Sequence, residues 1–374
     1  MAEVGFGLDV YNELSLSQPN ANVFFSPLSL MLVLAMTLLG SKDKTACELK
    51  KVLHLDQLQD DAIHQNMKLF HKKLWNTENK HTLNIANKIF LEKSENLSAS
   101  FNQLCLLLYA SRVKLVDFKN NASRCESSVN NWVQLKTNNK IKDLISPGTF
   151  NALTKIVLVN ALYFKGSWSK SFYKRSTFYE NFVISSQQTV SVPFMHMYSK
   201  ILRYVCDQEL QSQIIELPFT GNAASFIVIL PDLSITTLSE VENKLNADIL
   251  INISTKLSNK LVNLKMPKFK LETRPQIKEI LEKLGVSDLF RPGSADLSGV
   301  NGAKNLHISD VKQKAFIEVD EHGVEAAAAT AVLGGLFRNP ETPVQVNVDH
   351  PFVFLIKDMS TGAILFWGKI VNLR

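Results

Sequence analysis

Apolar residues along this chain follow two spacings. From Gly5 to Leu16 they recur at helical intervals (Phe6, Val10, Leu14), which predicts an opening helix. Asn22-Val23-Phe24-Phe25 reads as a short strand running into a helix. Ser26 stands where a hydroxyl can cap that helix, with Pro27 in its first turn. The helix predicted from Leu28 to Leu39 is apolar all round, so it should be buried on every side, and Gly40 stops it. Amphipathic helices are expected at 45–55 (Leu49, Val52, Leu53 inward) and 60–75 (Ile63, Met67, Phe70, Leu74 inward). Two more are expected at 98–111 and 123–137, with strands at 82–90 and 113–118 around them.

The second half is richer in strands. Lys155 to Phe164 is nearly continuous in apolar and β-branched residues, as a strand covered on both faces would be, and Gly166 and Trp168 end it. Strands are predicted at 190–192 and 201–205. A pair at 213–219 and 225–230 is joined by Thr220-Gly221-Asn222. A strand at 261–271 is interrupted at Pro267, helices fall at 238–245 and 276–284, and strands at 311–319, 344–356 and 363–371 close the chain. Strands and helices interleave without regular alternation, which predicts an α+β fold rather than a doubly wound sheet. No linker-like tract or internal repeat divides the sequence, so 1–374 reads as one domain.

One stretch breaks the pattern. Glu321-His322-Gly323-Val324-Glu325 is followed by Ala326, Ala327, Ala328, Ala329, Thr330 and on to Leu336, with no charge from Ala326 onward. A solvated loop normally carries Asp, Asn, Ser or Pro. Ala is the best helix former, but Gly323 and Gly334-Gly335 bracket this run and no amphipathic stripe is visible. As a strand, one face would be Val324, Ala326, Ala328, Thr330 and Val332, small or β-branched and uncharged. The other face places its one charge, Glu325, at the start. The segment therefore reads as a loop that can also become a buried strand.

Composition narrows the function. With 45% hydrophobic and 20% charged residues the chain is globular, and a net charge of +6 permits an acidic partner without arguing for nucleic acid. Lys68, Lys72 and Lys73 on the helix 60–75 form a candidate weak glycosaminoglycan patch on an otherwise solvated face. Cys47, Cys105, Cys125 and Cys206 form no CxxC and are expected as free, buried thiols. The start has no basic region followed by an apolar run, and the longest apolar run is too short to span a bilayer. The chain is thus expected to be cytoplasmic, or secreted without a signal peptide, and not membrane-bound. Sequons occur at Asn96, Asn121 and Asn252. Gly5-Phe6-Gly7 lacks the third glycine of a dinucleotide fingerprint; there is no P-loop, GxSxG or HExxH, and the histidines have no metal-ligand spacing. No cofactor, metal site or catalytic constellation is expected.

Several stretches together resemble the serpin family. They are Asn22 to Leu30, Asn160-Ala161-Leu162-Tyr163-Phe164-Lys165-Gly166-Ser167-Trp168, Ala295 to Val300, Glu321 to Thr330, His350 to Phe354, and Phe366 to Ile370. Their order and spacing cover nearly the whole chain, and the hinge Glu-His-Gly-Val-Glu-Ala-Ala-Ala-Ala-Thr looks most like the ovalbumin-type branch. The resemblance implies about nine helices, three β-sheets and an exposed reactive-centre loop at about 321–345. It implies a monomeric protease inhibitor, not an enzyme. A serine protease would attack the loop, and the hinge (Glu321, Gly323, Val324, Glu325, Ala326 to Ala329, Thr330) would insert into a sheet as a new strand. Family spacing puts the attacked bond at Phe337–Arg338, suited to chymotrypsin-like enzymes, with Arg338–Asn339 the trypsin-like alternative. It also implies a shutter of Ser26, Ser29 and Asn160, in which Gln313 takes the place of the family's usual histidine, and a latch between Lys268 and Glu321. Non-inhibitory serpins, and inhibitors of papain-like cysteine proteases, are the alternatives.

Overall fold

The helix Pro27–Leu38 is the centre of the packing, and all 12 of its residues are buried. The Ser26 hydroxyl accepts from Ser29 N at its start, as the sequence predicts, and Gly40 lies just past its end. Burying each leucine contributes roughly 1.5–3 kcal/mol relative to exposure, so this face-less helix has no stable position except the interior. It packs against the first helix, Ala2–Ser17, the last strand, Ile364–Ile370, and the strands Thr82–Glu92 and Ile156–Lys165. The computed structural model describes residues 2–74, 82–322 and 342–374.

Among the described residues there are ten α-helices and two hydrogen-bonded sheets. The smaller sheet runs in the order Phe269–Thr273, Ile308–Val319, Ile156–Lys165, Thr82–Glu92, Lys114–Val116. Its second and third strands are parallel, paired from Ile308 opposite Ile156 to Ile317 opposite Phe164, with a register shift between Ile308 and Asp310. On either side of that joint the next pairing is antiparallel. The larger sheet has nine strands, because two of the three expected sheets are joined through one 20-residue strand, Gln188–Asp207. This strand pairs with Thr177–Ser185 early, with Ser212–Pro218 late, and with Ser258–Pro267 in between. A bulge between Met197 and Lys200 lets it turn without breaking, which is why 190–192 and 201–205 look like separate strands in the sequence.

Pro267 acts more strongly than a simple interruption. Ser258–Pro267 lies in the large sheet and Phe269–Thr273 in the small one, with Lys268 between them donating its N–H to Pro193 O at 2.8 Å. The expected strand 344–356 likewise divides into Val344–Asn347, parallel to Ser258–Pro267, and Phe352–Asp358. The strand Thr177–Ser185 escapes the sequence pattern because Phe178 and Tyr179 are exposed. All four thiols are free as expected, but only Cys105 and Cys125 are buried; Cys47 and Cys206 are exposed.

Candidate functional site

The parallel joint between Ile156–Lys165 and Ile308–Val319 carries a row of amides at one level. Asn160 lies opposite Gln313 on one side and opposite Asn87 on the other. Beneath the row is the cap of the buried helix, Ser26 and Ser29. Gln313 Nε2 donates to Asn160 Oδ1 at 2.6 Å and to Ser26 O at 3.2 Å, while its Oε1 accepts from Ser26 N at 3.4 Å. Asn160 Nδ2 donates to Ser29 Oγ and Asn87 Oδ1. Asn87 completes the set by donating to Ser29 O at 3.3 Å and accepting from Ser29 Oγ at 2.9 Å. Ser26, Ser29 and Asn160 are fully buried and Gln313 is 2% exposed.

In this setting every polar atom needs a partner, since an orphaned one costs about 1–3 kcal/mol. The network therefore fixes the register of three strands on the helix below. None of its five side chains ionises at ordinary pH and none is a nucleophile beside a base, so it is a positioning device without catalytic chemistry. The sequence points to four of the five. Asn87 was missed, although an amide in the middle of Ile85-Ala86-Asn87-Lys88 was the available signal.

A second cluster forms where the two parallel strands end together. Beyond Lys165, Trp168 donates its indole N–H to Asp320 O at 2.8 Å and its backbone N–H to His322 O at 3.3 Å. Phe172 N donates to Glu321 O at 3.0 Å. The Trp168 ring stacks on Phe219 at 4.7 Å. Gly166 permits that approach, because a Cβ there would stand 2.5 Å from the Phe219 ring.

The Glu321 carboxylate takes Lys268 Nζ at 2.7 Å and the Thr177 hydroxyl at 2.8 Å. Glu321 is 4% exposed, so this is no pair of surface charges, although the Lys268 side chain is 38% exposed. Burial works against the ionised carboxyl, but the bonds from Lys268, its own backbone N–H and Thr177 outweigh it and hold its pKa below the ordinary value. Trp168, Phe172 and Thr177 thus join the expected pair, so three elements hold residues 320–322.

The remaining sequence-predicted positions fall elsewhere. Gly323, Val324, Glu325, Ala326 to Ala329, Thr330, Phe337, Arg338 and Asn339 lie outside the described residues. Lys68 is half-buried and Lys72 and Lys73 are exposed on the helix Asp60–Leu74. Among the described residues no group of His, Cys, Asp and Glu could hold a metal ion, and no helix is long and apolar enough to cross a membrane.

The fold and these clusters define an α+β protein whose smaller sheet carries a pinned parallel seam leading into the segment 323–341. The family described as "Serpin (serine protease inhibitor)" matches residues 1–373. Human Serpin B3 is 37% identical over 384 residues, covering 98% of this chain and 97% of that protein. Leukocyte elastase inhibitor A of Rattus norvegicus is 35% identical over 374 residues, covering 98% and 97%. The crystal structure of uncleaved ovalbumin superposes with a TM-score of 0.91 at 28% identity, covering 99% of this chain and 98% of that one. The chain belongs to the serpin family, in its ovalbumin-type branch. It is accordingly not an enzyme.

Proposed function

We propose that this serpin inhibits serine proteases as a suicide substrate. A protease attacks the segment at Phe337–Arg338, or at Arg338–Asn339, and forms an acyl-enzyme there. The hinge from Glu321 to Thr330 then enters between Ile156–Lys165 and Ile308–Val319. The seam is the observation that carries the reading. A strand folding back from Glu321 would run antiparallel to both neighbours, replacing one parallel pairing by two antiparallel ones, which are slightly more stable per residue. The sequence supports the same step, since nothing from Ala326 to Leu336 is charged and no Pro occurs there. At about 3.3 Å per residue, fourteen inserted residues span roughly 46 Å, enough to carry a tethered protease far from its docking point.

Phe337 favours a chymotrypsin-like pocket and Arg338 a trypsin-like one. The protein acts as a monomer, in the cytoplasm or outside the cell, and Lys68, Lys72 and Lys73 give it weak affinity for glycosaminoglycans. The test is incubation with chymotrypsin and with trypsin, followed by denaturing gels and the mass of the released C-terminal peptide. A covalent complex and a peptide starting at Arg338 or Asn339 are expected. Cleavage with no covalent complex and no gain in thermal stability would leave a non-inhibitory serpin instead, and trapping of papain but of neither serine protease would move the target class.

A further inference from the structure

A cavity of about 980 Å³ opens between the C-terminal end of the first helix, the helix Leu238–Lys244 and the last strand, Ile364–Ile370. That is at the upper end of the size range of small-molecule sites. Its floor is polar. The Lys369 side chain is 1% exposed, and its ammonium makes two long contacts, to Glu242 Oε1 at 3.2 Å and to Pro19 O at 3.4 Å. The same Glu242 oxygen accepts from the Tyr11 hydroxyl at 2.6 Å and from Ser15 Oγ at 2.9 Å. Glu242 Oε2 is left with no partner among the described residues.

The walls are mixed. Ile184, Leu238 and Pro351 line the cavity half-buried, and Leu16 is 74% exposed at its mouth. Beside them stand Asn12, Asn20, Ser239 and Asn243, all exposed, whose side chains have no protein partner among the described residues. Among those residues Glu242 and Lys369 are the only charged groups of the lining, so its charges cancel. An anion would face the Glu242 carboxylate, and a cation would meet Lys369 beside it. An apolar molecule would strip water from Glu242 and the amides without replacing the lost bonds. A hydroxyl both donates and accepts, so a polyol can give to Glu242 Oε2 and accept from the amides.

We propose that this cavity binds an uncharged glycoside, with the sugar hydroxyls on Glu242 Oε2 and on the amides of Asn12 and Asn243, and the apolar aglycone against Leu16, Ile184, Leu238 and Pro351. The site stands apart from the inhibitory reading, because no residue of the seam network or of the run 320–322 lines it.

The probe is octyl β-glucoside below its micellar concentration, titrated calorimetrically into the full chain beside octanol, octyl sulfate and octylammonium, which share its tail. The glucoside should bind at 1:1, and each of the others at least about ten-fold more weakly, the factor that two lost neutral hydrogen bonds supply. The double variant Asn12→Ala/Asn243→Ala should weaken the glucoside at least about ten-fold and leave the urea midpoint in place, since both side chains are exposed. Ser239→Trp, which fills the mouth and keeps both amides, should weaken it too. Octanol binding as tightly as the glucoside would reduce the site to one for apolar tails, and equal binding of octyl sulfate or octylammonium would make it one for charge. Either result, or an unchanged affinity in either variant, would overturn the proposal.

Discussion

Gln313 Nε2 donates to Asn160 Oδ1 at 2.6 Å across the parallel seam, where the resemblance to other serpins leads one to expect an imidazole. The amide serves Ser26 N and Ser26 O as well, so one side chain satisfies three buried groups and carries no titratable proton. Two consequences follow for substitution.

Gln313→Leu keeps the bulk and removes every bond. Asn160 Oδ1 and both backbone groups of Ser26 lose their Gln313 contacts, at a cost of roughly 2–4 kcal/mol. A lowered urea midpoint is expected; an unchanged one would mean that the network contributes nothing. Gln313→His should instead install pH dependence. A buried imidazole is held neutral in the fold and ionises freely once unfolded, so its folded pKa is depressed. The variant's stability deficit relative to the parent should therefore grow as pH falls from about 7.5 to 5.5, through the free imidazole value near 6.5. A constant gap over that window would count against a neutral buried imidazole.

The Lys268–Glu321 ion pair, which the resemblance implies is a latch, gives a second prediction. Glu321 joins Lys268, Thr177 and the residue run 320–322 that Trp168 and Phe172 also hold. Glu321→Lys reverses the charge facing Lys268 in a mostly buried site and should speed polymerisation on mild heating, read on native gels. Identical oligomer levels would remove the latch. Glu321→Gln is milder and tests the electrostatics. Because the folded pKa is lowered, the carboxylate stabilises the fold above the unfolded value near 4.3, and that contribution is lost as pH falls through the folded one. The parent's advantage over Glu321→Gln should therefore be present at pH 7 and shrink on acidification.

How much of this could be read from the sequence depends on whether the signal was local. Ser26, Pro27 and the all-apolar run after them carry their own evidence for a capped, buried helix, and the structure has it there. Motif spacing likewise pointed to Asn160, Gln313, Lys268 and Glu321, which the structure brings together as two clusters. What was not legible depended on distant pairing. Gln188–Asp207 reads as two short strands because its bulge interrupts the alternation, and Pro267 reads as an interruption because no local feature says that its two sides join different sheets. Asn87 and Thr177 are polar residues in strands, and only register and folding-back of the chain give them partners in the clusters.

A third prediction concerns Glu3, a half-buried acid in the first helix. Among the described residues Glu3 Oε1 is buried with no hydrogen-bond partner, and Oε2 accepts a 3.4 Å bond from Ile364 N. Burial raises the Glu3 pKa to about 8 against the opposing pull of that N–H, the amino terminus and Lys357. The folded state thus stays protonated over a range where the unfolded chain has ionised, and stability falls as pH rises from the unfolded value near 4.3 towards 8. Glu3→Gln removes this penalty. It should be near neutral at pH 4 and stabilising at pH 8 by at least about 1.4 kcal/mol, the equivalent of one pKa unit. Urea unfolding at the two pH values reads the difference, and a gap that does not widen with pH would show the carboxyl to be ionised in the fold.

The last prediction separates cleavage from trapping. In the alternation read from the sequence, Val324 opens the face that insertion would bury, whereas Glu325 belongs to the opposite face and can stay wet at the edge. Val324→Arg asks the seam to accept a guanidinium near its start, and an unpaired buried charge costs several kcal/mol. On the proposed mechanism the bond Phe337–Arg338 begins 13 residues further on and is untouched, so a protease should still form its acyl-enzyme. Hydrolysis then wins the race against a slowed insertion. The variant should be cleaved as fast as the parent while the covalent complex falls at least about ten-fold, the factor that 1.4 kcal/mol in the insertion barrier supplies. Val324→Glu should act in the same direction and Val324→Thr should trap normally, since threonine is β-branched and uncharged. Unimpaired trapping by Val324→Arg would place the inserted register elsewhere, and loss of cleavage together with trapping would assign Val324 to protease docking.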